Sequence, residues 1–318
     1  MKLSESPLPP LAGDWFLTDA GLETVLIFQE GVALPEFAAF VLLRSADGRE
    51  HLRRYFRRFL ELAAQTRGAG FVLESPTWRA GLDWGLKLGF DGRAMQRINR
   101  DAVALMQELR AEYATRIAKP IVISGCIGPR GDGYVAGAPM AADDAERVHQ
   151  PQVDALAAAG ADLISAVTMT SSAEAIGVAR AAARVGRPAV ISFTVETDGK
   201  LPSGESLLAA LDAVDADAAA AAREPPAYFM LNCAHPSHIE PVLASLGARQ
   251  SRLRGLRANA SRRSHAELDA ATELDAGNPS ELGADYARLK AAWPSLNVIG
   301  GCCGTDHRHV AAMSAALL

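Results

Sequence analysis

Eight short runs rich in Val, Ile, Leu and Phe, separated by longer stretches of helical periodicity, constrain the fold more than any other feature of this chain. The runs cover 16–19, 71–74, 121–125, 163–167, 189–194, 228–232, 253–258 and 297–300. Each is short and almost continuously apolar, as expected of a strand buried on both faces. Helical spacing fills 91–116, 143–159, 171–185 and 283–293, and the Ala-rich 209–222 reads as a surface helix because Ala is the strongest helix former. Strands alternating with helices specify parallel βαβ units, and eight of them suggest a closed (β/α)8 barrel, an α/β fold. A length of 318 residues suits two ordinary domains or one such barrel. No Ser/Gly-rich linker divides the chain, so a single domain over 1–318 is expected. The long polar stretch 259–282 exceeds an ordinary connection and reads as a loop or lid at the barrel mouth, with room for a short helix.

Charge narrows the partners. Thirty-two Lys and Arg against 37 Asp and Glu leave a formal charge of −5, whereas a nucleic-acid binder needs a basic excess to displace counterions. The arginines at 49, 53, 54, 57 and 58 are flanked by Glu50 and Glu61 and read as a solvated helix face. The first ten residues, MKLSESPLPP, hold no apolar signal region, and no apolar run approaches the roughly 18 residues a membrane span requires. The expectation is a cytoplasmic chain with small-molecule partners.

Four cysteines are too few for a disulfide scaffold, so their positions matter more than their number. Chemistry in a barrel sits at the C-terminal ends of the strands. Cys233 follows the sixth run in YFMLNCAHP, and Cys302 and Cys303 follow the eighth in NVIGGCCGTDH. Residues remote in sequence would then converge at one mouth. Adjacent side chains on a strand point to opposite faces, but Gly300, Gly301 and Gly304 free the backbone to turn both sulfurs inward. Three thiolates with one exchangeable position form a catalytic rather than a structural Zn2+ site. Small buried fillers are the alternative reading of a Cys pair. Cys126, in SGCIGPRGDGY, reads as a packing residue, and the glycines of that segment lack the P-loop Lys.

These residues resemble the homocysteine S-methyltransferase family of zinc-dependent barrels, which includes the betaine and S-methylmethionine enzymes. GGCCGT (300–305) and Asn232-Cys233 are similar to its GGCC and NC signatures, and 18–24, TDAGLET, resembles its N-terminal turn. Weaker matches are Thr77-Trp78-Arg79-Ala80, Ile127-Gly128-Pro129, Ser192-Phe193-Thr194, Asp198-Gly199 and Gly204-Glu205-Ser206. The resemblance implies zinc on Cys233, Cys302 and Cys303, methyl transfer to homocysteine in methionine biosynthesis, and Asp19 on the acceptor's amino group, although Asp19 also suits a turn before Gly21. It brings in Asn232 and Asn259 as substrate contacts.

The departures matter as much. The family's strand-four carboxylate, which holds the homocysteine ammonium, is replaced by Val167 in Ala166-Val167-Thr168. Either another acid substitutes, with Glu74 and Glu196 as candidates, or the acceptor is not homocysteine. The usual YPNSGE-like segment is reduced to Arg257-Ala258-Asn259-Ala260-Ser261.

The chemistry expected is attack of a zinc-held thiolate on the methyl group of a sulfonium or ammonium donor. Trp78, Trp15 and Trp84 offer aromatic faces for such a cation, or pack as core. Thr305 or Asp306 reads as a helix N-cap, and His309, like His307 a possible ligand, fits a capping or supporting role better. Two other readings remain: a barrel aldolase or lyase, for which Lys119 and Lys200 are poorly placed in loops, and a zinc or thiol binding barrel without turnover.

Overall fold

A computed structural model describes residues 8–135 and 137–318. Eight parallel strands close into a barrel in chain order: β1 (Trp15–Leu17), β2 (Ala69–Glu74), β3 (Ile121–Ile127), β4 (Leu163–Met169), β5 (Ala189–Phe193), β6 (Tyr228–Asn232), β7 (Leu253–Ala258) and β8 (Val298–Gly301). One principal helix follows each strand: α1 (Ala46–Gln65), α2 (Gly92–Tyr113), α3 (Ala142–Ala158), α4 (Ser172–Arg184), α5 (Leu207–Ala220), α6 (Pro236–Leu243), α7 (Pro279–Ala292) and α8 (His307–Leu317). Side-chain oxygens cap several starts: Ser45 caps α1, Asp91 α2, Ser171 α4 and Ser206 α5, each accepting from a backbone N–H three residues on.

Period-two alternation divides each strand between two cores. Outward residues such as Phe71, Ile123, Ile191, Leu231 and Ile299 pack against the helices. Inward residues Phe16, Val72, Val122, Leu163, Val190, Tyr228, Met230 and Val298 form a separate apolar cluster. No β7 residue joins it, because a Cβ at Gly255 would lie 2.5 Å from Met230 Cε. Two residues further along the strands the interior turns polar. Ser124 Oγ donates to Ser165 Oγ (2.7 Å), Ser165 Oγ to Glu74 Oε1 (3.1 Å), and Ser192 Oγ to Asn232 Oδ1 (2.6 Å). A further step along β3, β4 and β8 brings in Cys126, Val167 and Cys302. The barrel is therefore sealed by hydrocarbon below and becomes progressively polar toward its C-terminal mouth.

The strand expectations agree with the structure to within a few residues. β1 stops at Leu17 rather than 19, and β3 runs on to Ile127. The stretch 259–282 holds the short helix it has room for: His265–Asp269 is fixed by a capping box between Ser264 and Glu267, and α7 begins at Pro279. The arginine face of α1 is not merely solvated. Arg53 pairs with Glu108 (2.8 Å) and Arg57 with Glu112 (3.0 Å), linking α1 to α2. No helix among the described residues is long and apolar enough to cross a membrane. Residues 1–7 of the expected leaderless start lie outside the described residues.

Candidate active site

β6 and β8 deliver the three cysteines to one point. The Sγ atoms of Cys233, Cys302 and Cys303 all lie within 4.8 Å of one another, and Cys233 Sγ is 4.0 Å from Cys303 Sγ. Sulfurs bound tetrahedrally to one Zn2+ at 2.3 Å stand about 3.8 Å apart, so the donor set and its spacing fit this ion. Two backbone devices produce the convergence. Cys233 adopts φ 55°, costly for a residue with a side chain, and its N–H is held by the Arg257 carbonyl at 3.1 Å. After β8 a tight turn closes when Thr305 N–H and Oγ1 both donate to the Cys302 carbonyl (3.1 and 2.6 Å).

The paired glycines serve space rather than the conformational freedom the sequence suggests. Gly300 and Gly301 lie at the end of β8, and neither has positive φ. A Cβ at Gly300 would fall 1.9 Å from Thr18 Oγ1, and one at Gly301 2.0 Å from Thr305 Oγ1. Only Gly304 of the three adopts a left-handed backbone, at φ 78°.

The sulfurs share charge unevenly. Hydrogen bonds from Cys233 and Cys303 hold the Cys302 thiol well below its ordinary range, and the bond to Cys302 pushes the Cys233 thiol up. Tyr134, from the GPRGDGY segment, donates its hydroxyl to Cys303 Sγ at 3.1 Å. Its ring stacks on His265 with centroids 4.2 Å apart. His265 in turn lies 2.7 Å from the Cys233 carbonyl and 2.9 Å from Glu196.

The cluster opens into a cavity of about 350 Å³. Seven carboxylates and two guanidinium groups line it: Asp19, Glu23, Glu74, Asp132, Asp269, Glu273 and Asp275 against Arg79 and Arg257. Arg257 rises from β7 into the polar layer. Its Nη2 donates to Asp19 Oδ1 (2.8 Å) and the Ala20 carbonyl (3.1 Å), its Nε to the Gly301 carbonyl (3.1 Å), and its Nη1 to Glu74. Tyr55 donates to the other Asp19 oxygen at 3.1 Å. Burial works against the Arg257 charge, but Asp19 and Cys302 outweigh it and keep the guanidinium protonated. Burial likewise lifts the Asp19 carboxyl, with Arg257 pulling the other way. Glu23 is different: it makes no ion pair among the described residues, and burial raises its carboxyl to about 7.

The family described as homocysteine S-methyltransferase matches residues 16–317, nearly the whole chain. The chain belongs to this family. Homocysteine S-methyltransferase 1 of Zea mays is 26% identical over 289 residues, 85% of this chain and 84% of that one. Among solved structures, the homocysteine methyltransferase MmuM of Escherichia coli is similar in its oxidized form (TM-score 0.75, 22% identity) and in its metallated form (TM-score 0.74, 21% identity). Each alignment covers 98% of this chain and 99% of the other. At such identity these structures speak for the fold alone, and the family membership makes this chain a methyltransferase.

Within that family frame, the expected contacts separate into two groups. Asp19, Glu74, Trp78 and Val167 line the cavity. Asn232 stands beneath it: Oδ1 accepts from Thr168 N–H (2.9 Å), Nδ2 donates to Thr168 Oγ1 (2.7 Å), and Nδ2 lies 4.0 Å from Cys302 Sγ. It thereby braces Thr168, itself at φ 64°, against the neighbouring Cys233. Glu196 and Asn259 do not line the cavity. Glu196 is engaged with His265, and Asn259 is buried with its Oδ1 unpartnered.

Of the three tryptophans, Trp78 alone lines the cavity. The Trp84 ring is covered by Arg79 at 4.0 Å and Lys87 at 4.0 Å and the Trp15 ring by Lys290 at 4.7 Å, and Arg79 also stands 4.8 Å from the Trp78 ring centroid, so the chain's own cations lie against all three rings. Cys126 lines the cavity but stands outside the three-sulfur group. His309 completes a capping box with Asp306 at the start of α8 and lies 2.8 Å from the Ala276 carbonyl, which fits the capping role.

Arg257 and Tyr134 are the residues that sequence reasoning passed over. A charged residue in the run LRGLRA at an inward position signals a buried counter-charge. Tyr134 carries no such signal, since its role depends on where a loop folds.

Proposed function

We propose that this chain is a zinc-dependent S-methyltransferase that moves a methyl group from a sulfonium donor of the S-methylmethionine type to a small thiol. The observation that carries this reading is the group of three sulfurs, from two remote strand ends, at the base of an acidic cavity. Cys233, Cys302 and Cys303 would hold the metal. Bound zinc would supply the positive charge that keeps an acceptor thiol deprotonated at neutral pH.

The chain's own groups do the rest. Seven carboxylates against two guanidinium groups give the cavity a field that favours a cationic donor. Trp78 adds an aromatic wall, where Arg79, 4.8 Å from its ring centroid, competes with a donor cation for a contact worth ~0.5–2 kcal/mol. In the transfer, an acceptor sulfur lone pair forms the new C–S bond while the donor's C–S bond breaks and its electron pair returns to the donor sulfur, which leaves as a neutral thioether. Holding both sulfurs in line with the methyl carbon is the main task of such a cavity.

The test is a screen of sulfonium and ammonium donors against a panel of thiols, read by mass spectrometry on zinc-loaded protein. A gain of one methyl group on a thiol with matching loss from a sulfonium is expected. Thiol binding without transfer from any donor would favour the binding barrel instead.

A further inference from the structure

We propose that Arg257 fills the place an acceptor's ammonium would take, so that the acceptor of this enzyme is a small thiol without an α-amino group. The proposal rests on the methyl-transfer reading for the word acceptor. Its basis is the hydrogen-bond arrangement inside the cavity, which stands independently of turnover.

An ammonium entering a buried cavity needs carboxylate oxygens that are not already satisfied. Two of the cavity's acids, Asp19 and Glu74, are both in ion pairs with one guanidinium. Both oxygens of each also accept hydrogen bonds from the chain: Asp19 from Arg257 and Tyr55, Glu74 from Arg257 and Ser165. Arg257 itself is tethered to the Ala20 and Gly301 carbonyls, which an incoming ammonium cannot replace as partners for the displaced guanidinium. Strand four contributes Val167 to the same cavity and no acid.

An α-ammonium placed here would therefore meet a like charge at hydrogen-bond range from each of its intended partners. Arg257 acts as a built-in cation whose planar fork bridges two carboxylates, Nη2 on Asp19 and Nη1 on Glu74, where an ammonium would be a point charge. Glu23 remains free for a cation that passes through, the sulfonium head of the donor.

Homocysteine and 4-sulfanylbutanoate differ only by the α-amino group, which isolates the effect. Calorimetric titration of zinc-loaded protein is expected to give 4-sulfanylbutanoate a dissociation constant at least tenfold below that of homocysteine. Arg257→Leu, which unmasks Asp19 and Glu74, is expected to shift the ratio at least tenfold toward homocysteine. Should that variant fail to fold, Val167→Glu adds an unpaired acid to the cavity and is expected to move the ratio the same way.

Equal or tighter binding of homocysteine by the wild-type protein overturns the proposal, as does an unchanged ratio in the variants. Homocysteine affinity that is lost in Glu23→Gln would place the ammonium on Glu23 and overturn it too. If the binding preference holds while neither thiol gains a methyl group from any sulfonium, the transfer reading fails and the inference about the ammonium seat stands.

Discussion

Cys302 and Cys126 both project into the same cavity, yet only Cys302 has two further sulfurs within reach. Burial raises the Cys126 thiol well above its ordinary range, as befits an inert packing residue. Replacing Cys302 by Ser is therefore expected to remove most of the bound zinc measured by elemental analysis, while Cys126→Ser leaves it near the wild-type value. Equal losses in the two variants would contradict the assignment. The cysteines were legible in the sequence because strand ends and glycines mark them. Arg257 left only the trace of a charged residue inside an apolar run, because its meaning lies in two carboxylates 238 and 183 positions away. Tyr134 and His265 were not legible at all, since ring stacking between a loop and the start of a distant short helix leaves no periodic trace.

At the scale of elements, each strand showed in the sequence as a short apolar run, because both faces of a barrel strand meet hydrocarbon over most of its length. What the runs could not show was the switch to a polar interior two residues beyond the apolar cluster, at Glu74, Ser124, Ser165, Ser192 and Asn232. Crowding at the end of β8 makes a clear prediction. Gly301→Ala drives a methyl group into Thr305 and is expected to lower the melting temperature and loosen the turn that carries Cys302 and Cys303. A stable variant with full zinc content would refute the crowding account.

The start of α6 offers a pH test. His235 caps this helix through Nδ1, which accepts from the Ser237 N–H at 3.1 Å, and burial lowers its pKa to about 4, with Asp285 opposing. The unfolded chain takes up this proton near 6.5, so stability should fall as pH drops from 6.5 through 4, by up to ~3 kcal/mol. His235→Asn keeps a capping side chain and removes the titration. Denaturant melts across that range should show a shallower loss in the variant, and parallel slopes would contradict this cause.

For the whole molecule, the cysteine cluster joins the end of β6 to that of β8 over the intervening β7, so metal occupancy should couple to global stability. A ligand present at a thousand times its dissociation constant adds about 4 kcal/mol to the folded state. Chelating zinc from loaded protein is therefore expected to lower the melting temperature by several degrees, and re-addition to restore it. An unchanged transition after chelation would mean that the metal does not tie the strands together. The most direct test of the central claim is zinc K-edge absorption on the loaded protein. The account predicts one zinc per chain with three sulfur neighbours at about 2.3 Å and a fourth sulfur on addition of an accepted thiol. Substoichiometric zinc, or a shell dominated by oxygen and nitrogen, would contradict it.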